Sequence, residues 1–488
     1  MEKVINSAPA TDKGPSKKWW ILAVLVIIPF MVTLDGTIVN VALPTMSRDL
    51  HVSLEQVQLV VSTYLVAVVA SILFFGRLGD VLGKGRVFLF GIALFGLGSL
   101  FAALSRTLLL VNIARIVEGI GGAAAMANNQ GIITEVFPPN ERGKALGISS
   151  VGAAIGTMLG PPLGGFIVTE LHWSYIFLIN VPVALLSFLA GVLIFPKSKR
   201  VQEKIDYLGA ITLSAALVLF FMALYRGERT RYTEPLVLGG FAMSALLFVW
   251  FLFQEKKNPE PVLDLRLFKN PIFSISIFCV FLQFLVSGGI SILLPIFFED
   301  AMGFSAGKTG FILMSMPIAV AIVGPISGSL SDKFGSSKLT LLGLSLMFLS
   351  SFLLSSISTN RPLWLTLVEI ALYGLGAGLF TAPNTSMIMS NAPADKLGIA
   401  GSTNGFMRNF GSAIGVSVFS TLLYHWMGED VGHPVSGYTP KDPLAFVDSL
   451  QKVYATAAGV LLVGVLLLIT RMVVLKKHPT KNEIPAQS

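Results

Sequence analysis

The chain has 488 residues, of which 53% are hydrophobic and only 13% charged, with a mean hydropathy of +0.75. A soluble domain carries about a quarter charged residues, so this composition excludes an ordinary string of soluble domains. The net charge of +8 raises nucleic acid as a partner, but the placement of the basic residues assigns that charge to membrane topology instead. Cys279 stands alone, which excludes a disulfide framework and a thiolate metal site. His51, His172, His425, His433 and His478 fall outside the apolar runs and show no ligand spacing.

Residues 1–18 are polar, and no cleavable signal is evident before the first apolar run. Fourteen apolar segments are then predicted, at 19–42, 57–76, 87–105, 108–134, 144–168, 174–195, 207–226, 234–254, 271–298, 309–328, 339–357, 363–390, 399–424 and 451–475. An even number places both termini on one side. With that side inside, 24 of the 35 Lys and Arg are cytoplasmic, 9 external, and 2, Arg115 and Arg408, within helices. This asymmetry follows the positive-inside rule. The longest external loop is predicted at 425–450.

In the first span, 30–44 reads FMVTLDGTIVNVALP. A carboxylate in a bilayer helix is costly unless compensated, so Asp35 demands a partner; the amide of Asn40 follows it. The loop after the second span, 76–86, reads GRLGDVLGKGR. Its glycines permit a tight turn and close helix approach. Asp80 either caps the third helix or bridges to a neighbouring helix end, with Lys84 and Arg86 in the interface. The fourth span sets Arg115 and Glu118 three residues apart, on one face. They form either a neutralised structural pair or a proton relay. In the fifth span, Gly152, Gly156, Gly160 and Gly164 recur every fourth position, a flat strip for another helix, beside a bend predicted at Pro161 and Pro162.

The loop after the tenth span, 328–338, reads GSLSDKFGSSK and repeats the earlier pattern 252 residues on, with Asp332 matching Asp80. A second echo, LGI at 146 and at 397, lies 251 residues apart. Two matches at nearly one offset indicate two homologous halves of six helices, with the seventh and eighth spans as an insert. Glu369 in the twelfth span either lines an outer cavity or is a wetted helix end. Glu299 and Asp300 read as interfacial. Arg408, in GFMRNFGSAIG, needs a partner or water. The stretch GFSAGKT at 303–309 has three residues between its glycines where a phosphate loop needs four, so no ATP site is expected and energy comes from a gradient.

Five stretches in this order, LDGTIVNVALP, the doubled GxLxDxxGxxR, RIVEGIGGAA, GAAIGTMLGPPLGG and WSYIFLINVP, make the chain resemble the major facilitator superfamily. Within it, the resemblance is to the fourteen-helix drug:proton antiporters, over about residues 15–475. The resemblance implies an all-α polytopic fold: a tail at 1–18, a six-helix bundle at 19–195, a linker with two extra helices at 196–270, a second bundle at 271–475 and a tail at 476–488. It implies a monomer in the cell membrane that exports lipophilic drugs, with cationic ones as candidates, by proton-coupled alternating access. The partners are then a small-molecule substrate, protons and the bilayer, with no cofactor, metal or nucleic acid. Asp35 and Glu118 would carry the proton, with Arg115 tuning both. Asn40, Asn129, Glu369 and Arg408 are candidates for the cavity. Gly76, Asp80, Gly83, Arg86 and Asp332 correspond to a latch closing the cytoplasmic side. Gly152, Gly156, Gly160, Pro161 and Gly164 correspond to antiporter-type packing. Two departures stand out: Val81 replaces a basic residue often found there, and Glu118 replaces a frequent amide. The extra acid would add a proton site or favour cationic substrates. Export of one metabolite, such as an amino acid, siderophore or lipid, and a non-transporting sensor are the competing readings.

Overall fold

The computed structural model describes residues 15–195, 205–230, 232–433 and 443–477. Backbone amides in hydrocarbon find no water, so spanning segments must satisfy them internally as helices. The long helices are α1 (Pro15–Asp49), α2 (Leu59–Leu82), α3 (Lys84–Leu104), α4 (Leu108–Val136), α5 (Pro139–Glu170), α6 (Asn180–Ile194), α7 (Tyr207–Arg229) and α8 (Pro235–Lys257). They continue as α9 (Pro271–Ile296), α10 (Ser315–Phe334), α11 (Ser336–Leu354), α12 (Leu363–Ser390), α13 (Leu397–Val431) and α14 (Pro443–Lys477). Local chemistry sets several starts. Thr107 caps α4 by accepting from the Leu110 N–H, and Asn270 caps α9 by accepting from Ile272 and Phe273. Gly83 and Gly335 each join two helices in one residue at φ of 98° and 84°, where a side chain would be strained.

Thirteen helices among the described residues are long and apolar enough to cross a membrane. The remaining predicted span lies in α13, a 35-residue helix made more polar by Asn404, Arg408 and Asn409 and by Glu429 and Asp430 near its C-terminal end. The external loop predicted at 425–450 is shorter than expected, because α13 runs to Val431 and α14 begins at Pro443. Residues 434–442 of that loop and the basic cluster at 197–200 lie outside the described residues. The helix α5 continues through Pro161 and Pro162.

The two largest buried apolar clusters each centre on one half. One runs through Leu25, Phe88, Phe95 and Ile133 in the first half; the other runs through Phe273, Leu344, Phe380 and Leu461 in the second. The repeat is visible in matched ties. Asn129 of α4 donates to the Leu25 carbonyl of α1 at 2.6 Å, and Asn384 of α12 donates to the Ser276 carbonyl of α9 at 3.0 Å. The insert, α7 and α8, leans on both halves. Ser214 donates to the Ala70 carbonyl of α2 at 2.7 Å, and Phe221 packs edge-on against Phe410 of α13 at 6.0 Å. Arg471 is fully buried in the second half. It donates to Ser276, Asn384 and Thr340 and so ties α14 to α9, α12 and α11.

Candidate functional site

Asp35, Arg115 and Glu118 meet inside the first half, all three with no exposed surface. The guanidinium Nη1 donates to Asp35 Oδ2 at 2.6 Å and to Glu118 Oε2 at 2.7 Å. Its Nε donates to the Val60 carbonyl of α2 at 3.1 Å. Ser99 of α3 donates to Glu118 Oε1 at 2.5 Å, and Asn180 of α6 donates to Asp35 Oδ1 at 3.4 Å. The Tyr64 ring lies 4.1 Å from the guanidinium carbon and the Phe177 ring 5.5 Å. Five helices therefore converge on one charge cluster. It holds two carboxylates against one guanidinium, so with all three groups ionised it carries one negative charge in a water-excluded site. A single proton would neutralise it.

At one end of the bundle the two halves are tied by a pair of matching contacts. Asp80, at the end of α2, accepts from the Gly398 and Ile399 N–H groups at 2.8 and 2.9 Å. These amides open α13 in the other half, where unsatisfied N–H groups and the helix dipole favour an anion. Asp332, at the end of α10, accepts from the Gly143 and Lys144 N–H groups near the start of α5, also at 2.8 and 2.9 Å. Of the two bonding alternatives for Asp80, the structure therefore selects the neighbouring helix end. Small residues make the approach possible: a Cβ on Gly76 would overlap Ser402 and the Gly398 carbonyl. Lys84, buried, pairs with Asp80 and Glu135, both at 2.7 Å. Arg86 was expected in this interface. It is exposed and donates to the Leu82 carbonyl, because two residues past the buried Lys84 it lies on another side of α3.

A profile of the Major Facilitator Superfamily matches residues 25–416. The chain belongs to that superfamily. It is a transporter rather than an enzyme. It is 33% identical over 457 residues to the riboflavin transporter RibZ of Clostridioides difficile, covering 92% of this chain and 97% of that one. It is 33% identical over 420 residues to multidrug resistance protein 3 of Bacillus subtilis, covering 84% and 80%. It is 29% identical over 416 residues to a tetracenomycin C resistance and export protein of Streptomyces glaucescens, covering 85% and 77%. In fold it resembles the human organic anion transporter MFSD10, with a TM-score of 0.65 at 16% identity over 93% of this chain and all of that one. It also resembles the proton:xylose symporter XylE, with a TM-score of 0.64 at 15% identity over 91% and 94%.

The remaining expected residues of the transporter divide. Asn40 is exposed on α1, one turn beyond Gly36, where an added Cβ would meet nothing within 4 Å. Asn129, expected at the cavity, is 4% exposed and spends its amide on the α1 tie, so it is a packing residue. Glu369 is neither a cavity wall nor a wetted helix end: it is 3% exposed and accepts from Arg361 at 2.7 Å. Arg408 is partly exposed and lies 4.8 Å from the Phe284 ring of α9. The glycine strip of α5 packs against α1, where Gly152 meets Val26, Gly156 meets Thr33 and Gly160 meets Thr37. Tyr64, Ser99 and Asn180 were not singled out from the sequence. Only Asn180 left a signal, as a lone amide opening an apolar helix.

Proposed function

We propose that this transporter is a proton-coupled exporter of lipophilic compounds, working by alternating access as a monomer in the cell membrane with both termini cytoplasmic. The excess carboxylate in the Asp35–Arg115–Glu118 cluster carries this reading. A cluster with one more acid than base, sealed by Tyr64 and Phe177, is built to take and release a proton as the two halves rock. Glu118 is buried and paired, so its part is the proton rather than a cationic cargo. In the cycle, the outward-open form takes a proton at the cluster. The latch then opens, the proton leaves to the cytoplasm, and substrate binds in its place. The excess of Lys and Arg on the latch side supports its cytoplasmic placement. The segments 19–195 and 271–475 act as the two rocking units, with 196–270 as the insert.

The test is Asp35→Asn in purified protein reconstituted into liposomes with an imposed pH gradient. Proton-driven substrate exchange should be lost while the protein stays folded and inserted. Undiminished exchange would sink the assignment. A second reading has a specific observation behind it: the relative named a riboflavin transporter is matched over 97% of its length, which favours one dedicated compound. Efflux of a structurally mixed panel supports the first reading; flux of one compound alone supports the second.

A further inference from the structure

Arg408 sits on a stripe of α13 that faces the first half of the chain. An added Cβ on Gly401 would meet the Ala127 carbonyl of α4, Asn404 donates to Gln130 of α4 at 2.8 Å, and Gly405 faces Ile72 of α2. One helical turn beyond Asn404 the stripe arrives at Arg408. The 251-residue repeat offset carries Arg408 onto Thr157, and carries Asn40 onto Ser291. Thr157, Asn40 and Ser291 are exposed although each lies in a membrane-crossing helix. Polar, exposed and related by the repeat, these positions mark the walls of the gap between the halves.

A guanidinium carries five N–H donors and a permanent charge. Among the described residues Arg408 makes no ion pair and no side-chain hydrogen bond, and its charge rests only on the Phe284 ring. An uncompensated cation at this depth is costly. The excess negative charge of the Asp35 cluster is no remedy, because Asp35, Arg115 and Glu118 have no exposed surface. No described residue supplies the compensating anion, and a bound anionic molecule would. The aromatic face beside the guanidinium fits an apolar ring, while the free N–H fork fits a carboxylate, sulfonate or phosphate oxygen pair.

We propose that Arg408 is the residue that recognises the charged group of the cargo, and that the cargo is a lipophilic aromatic anion. This deepens the transport reading above and rests on it. The site has an aromatic platform for the body of the substrate and one cationic contact for its acidic group. Glu118 then serves the proton, and substrate selection belongs to the opposite half.

The test uses two xanthene dyes of one skeleton, anionic fluorescein and cationic rhodamine 6G, with the full chain purified in detergent at one alkaline pH. Binding is read by fluorescence anisotropy for wild type, Arg408→Lys and Arg408→Gln, with melting temperature followed in parallel. Losing one charged hydrogen-bonding contact should weaken fluorescein binding by about tenfold or more in Arg408→Gln. Arg408→Lys should retain most of it, and rhodamine 6G should bind Arg408→Gln at least as well as wild type. Equal fluorescein affinity in wild type and Arg408→Gln overturns the proposal. So does a parallel loss for both dyes with a lower melting temperature, which would make Arg408 a packing residue. Charge-selective binding without proton-driven flux in liposomes would leave the anion site standing and remove the export reading.

Discussion

Replacing Asp80 by Asn should open the end of the bundle where Asp80 and Asp332 tie the two halves. Asp80 accepts two N–H groups at 2.8 and 2.9 Å and pairs with Lys84 at 2.7 Å. Hydrogen bonds to a charged partner contribute about 1.5–3 kcal/mol each, against about 0.5–1.5 kcal/mol for neutral ones. An Asn has one acceptor oxygen, so it retains at most one good bond and loses the charge facing the α13 dipole, worth a further ~0.5 kcal/mol. The net loss is about 2–6 kcal/mol, or roughly thirty- to twenty-thousandfold in the ratio of tied to separated ends. Spin labels at exposed Arg86 and Asp395, on opposite halves, would read the distance by pulsed electron resonance. Because Cys279 is buried, labelling of introduced cysteines has a quiet background. Wild type should give one short distance; Asp80→Asn should add a longer population, and Asp80→Asn with Asp332→Asn should make it dominant. An unchanged distribution in the double variant would refute the claim that these carboxylates hold the end closed.

Arg115→Met strands two buried carboxylates and should cost at least about 3–5 kcal/mol, read as a fall in melting temperature of the purified protein. Adding Asp35→Asn and Glu118→Gln should recover most of that loss, and wild-type melting of Arg115→Met alone would contradict the geometry. Asp264, in the connection between α8 and α9, is pushed up by burial but held down more strongly by hydrogen bonds from Arg266 and Lys396, to about 2. A depressed folded-state value means that its contribution is complete above about pH 4 and disappears as pH falls through about 2. After solvent screening this contribution is about 1 kcal/mol. Asp264→Asn should therefore flatten the acid limb of the stability curve between those values, which chemical denaturation across pH would measure.

The charge cluster was legible because acids and bases in an oily run have few reasons to exist. Asp35 interrupts an apolar helix, and Arg115 and Glu118 share a face by spacing alone. Its lining was not legible, since Tyr64 and Ser99 are ordinary residues of membrane helices until the fold sets them beside a charge. The Asp80 contact was legible as a doubled motif, but its receiving end was not: Gly398 lies 318 residues from Asp80, and no local pattern links them. Asn129 shows why. A polar group near a helix end can face a cavity, water or the core, and only packing distinguishes the three. Neighbours in α1 claim Asn129, while Ser276, Asn384 and Thr340 claim Arg471.

The position of the insert has a consequence for how lipid-dissolved molecules meet this protein. A pair of repeated halves creates two lateral seams, one where α2 faces α13 and one where α5 faces α10. Among the described residues the insert packs on the first, through Ser214 on Ala70 and Phe220 and Phe221 on Phe410. At the second, Gly147 and Gly324 bring bare backbone to bare backbone. The symmetry of the repeat is thereby broken: α7 covers one seam, and the other is held by the fit of the glycines and by Asp332 on the Gly143 and Lys144 amides.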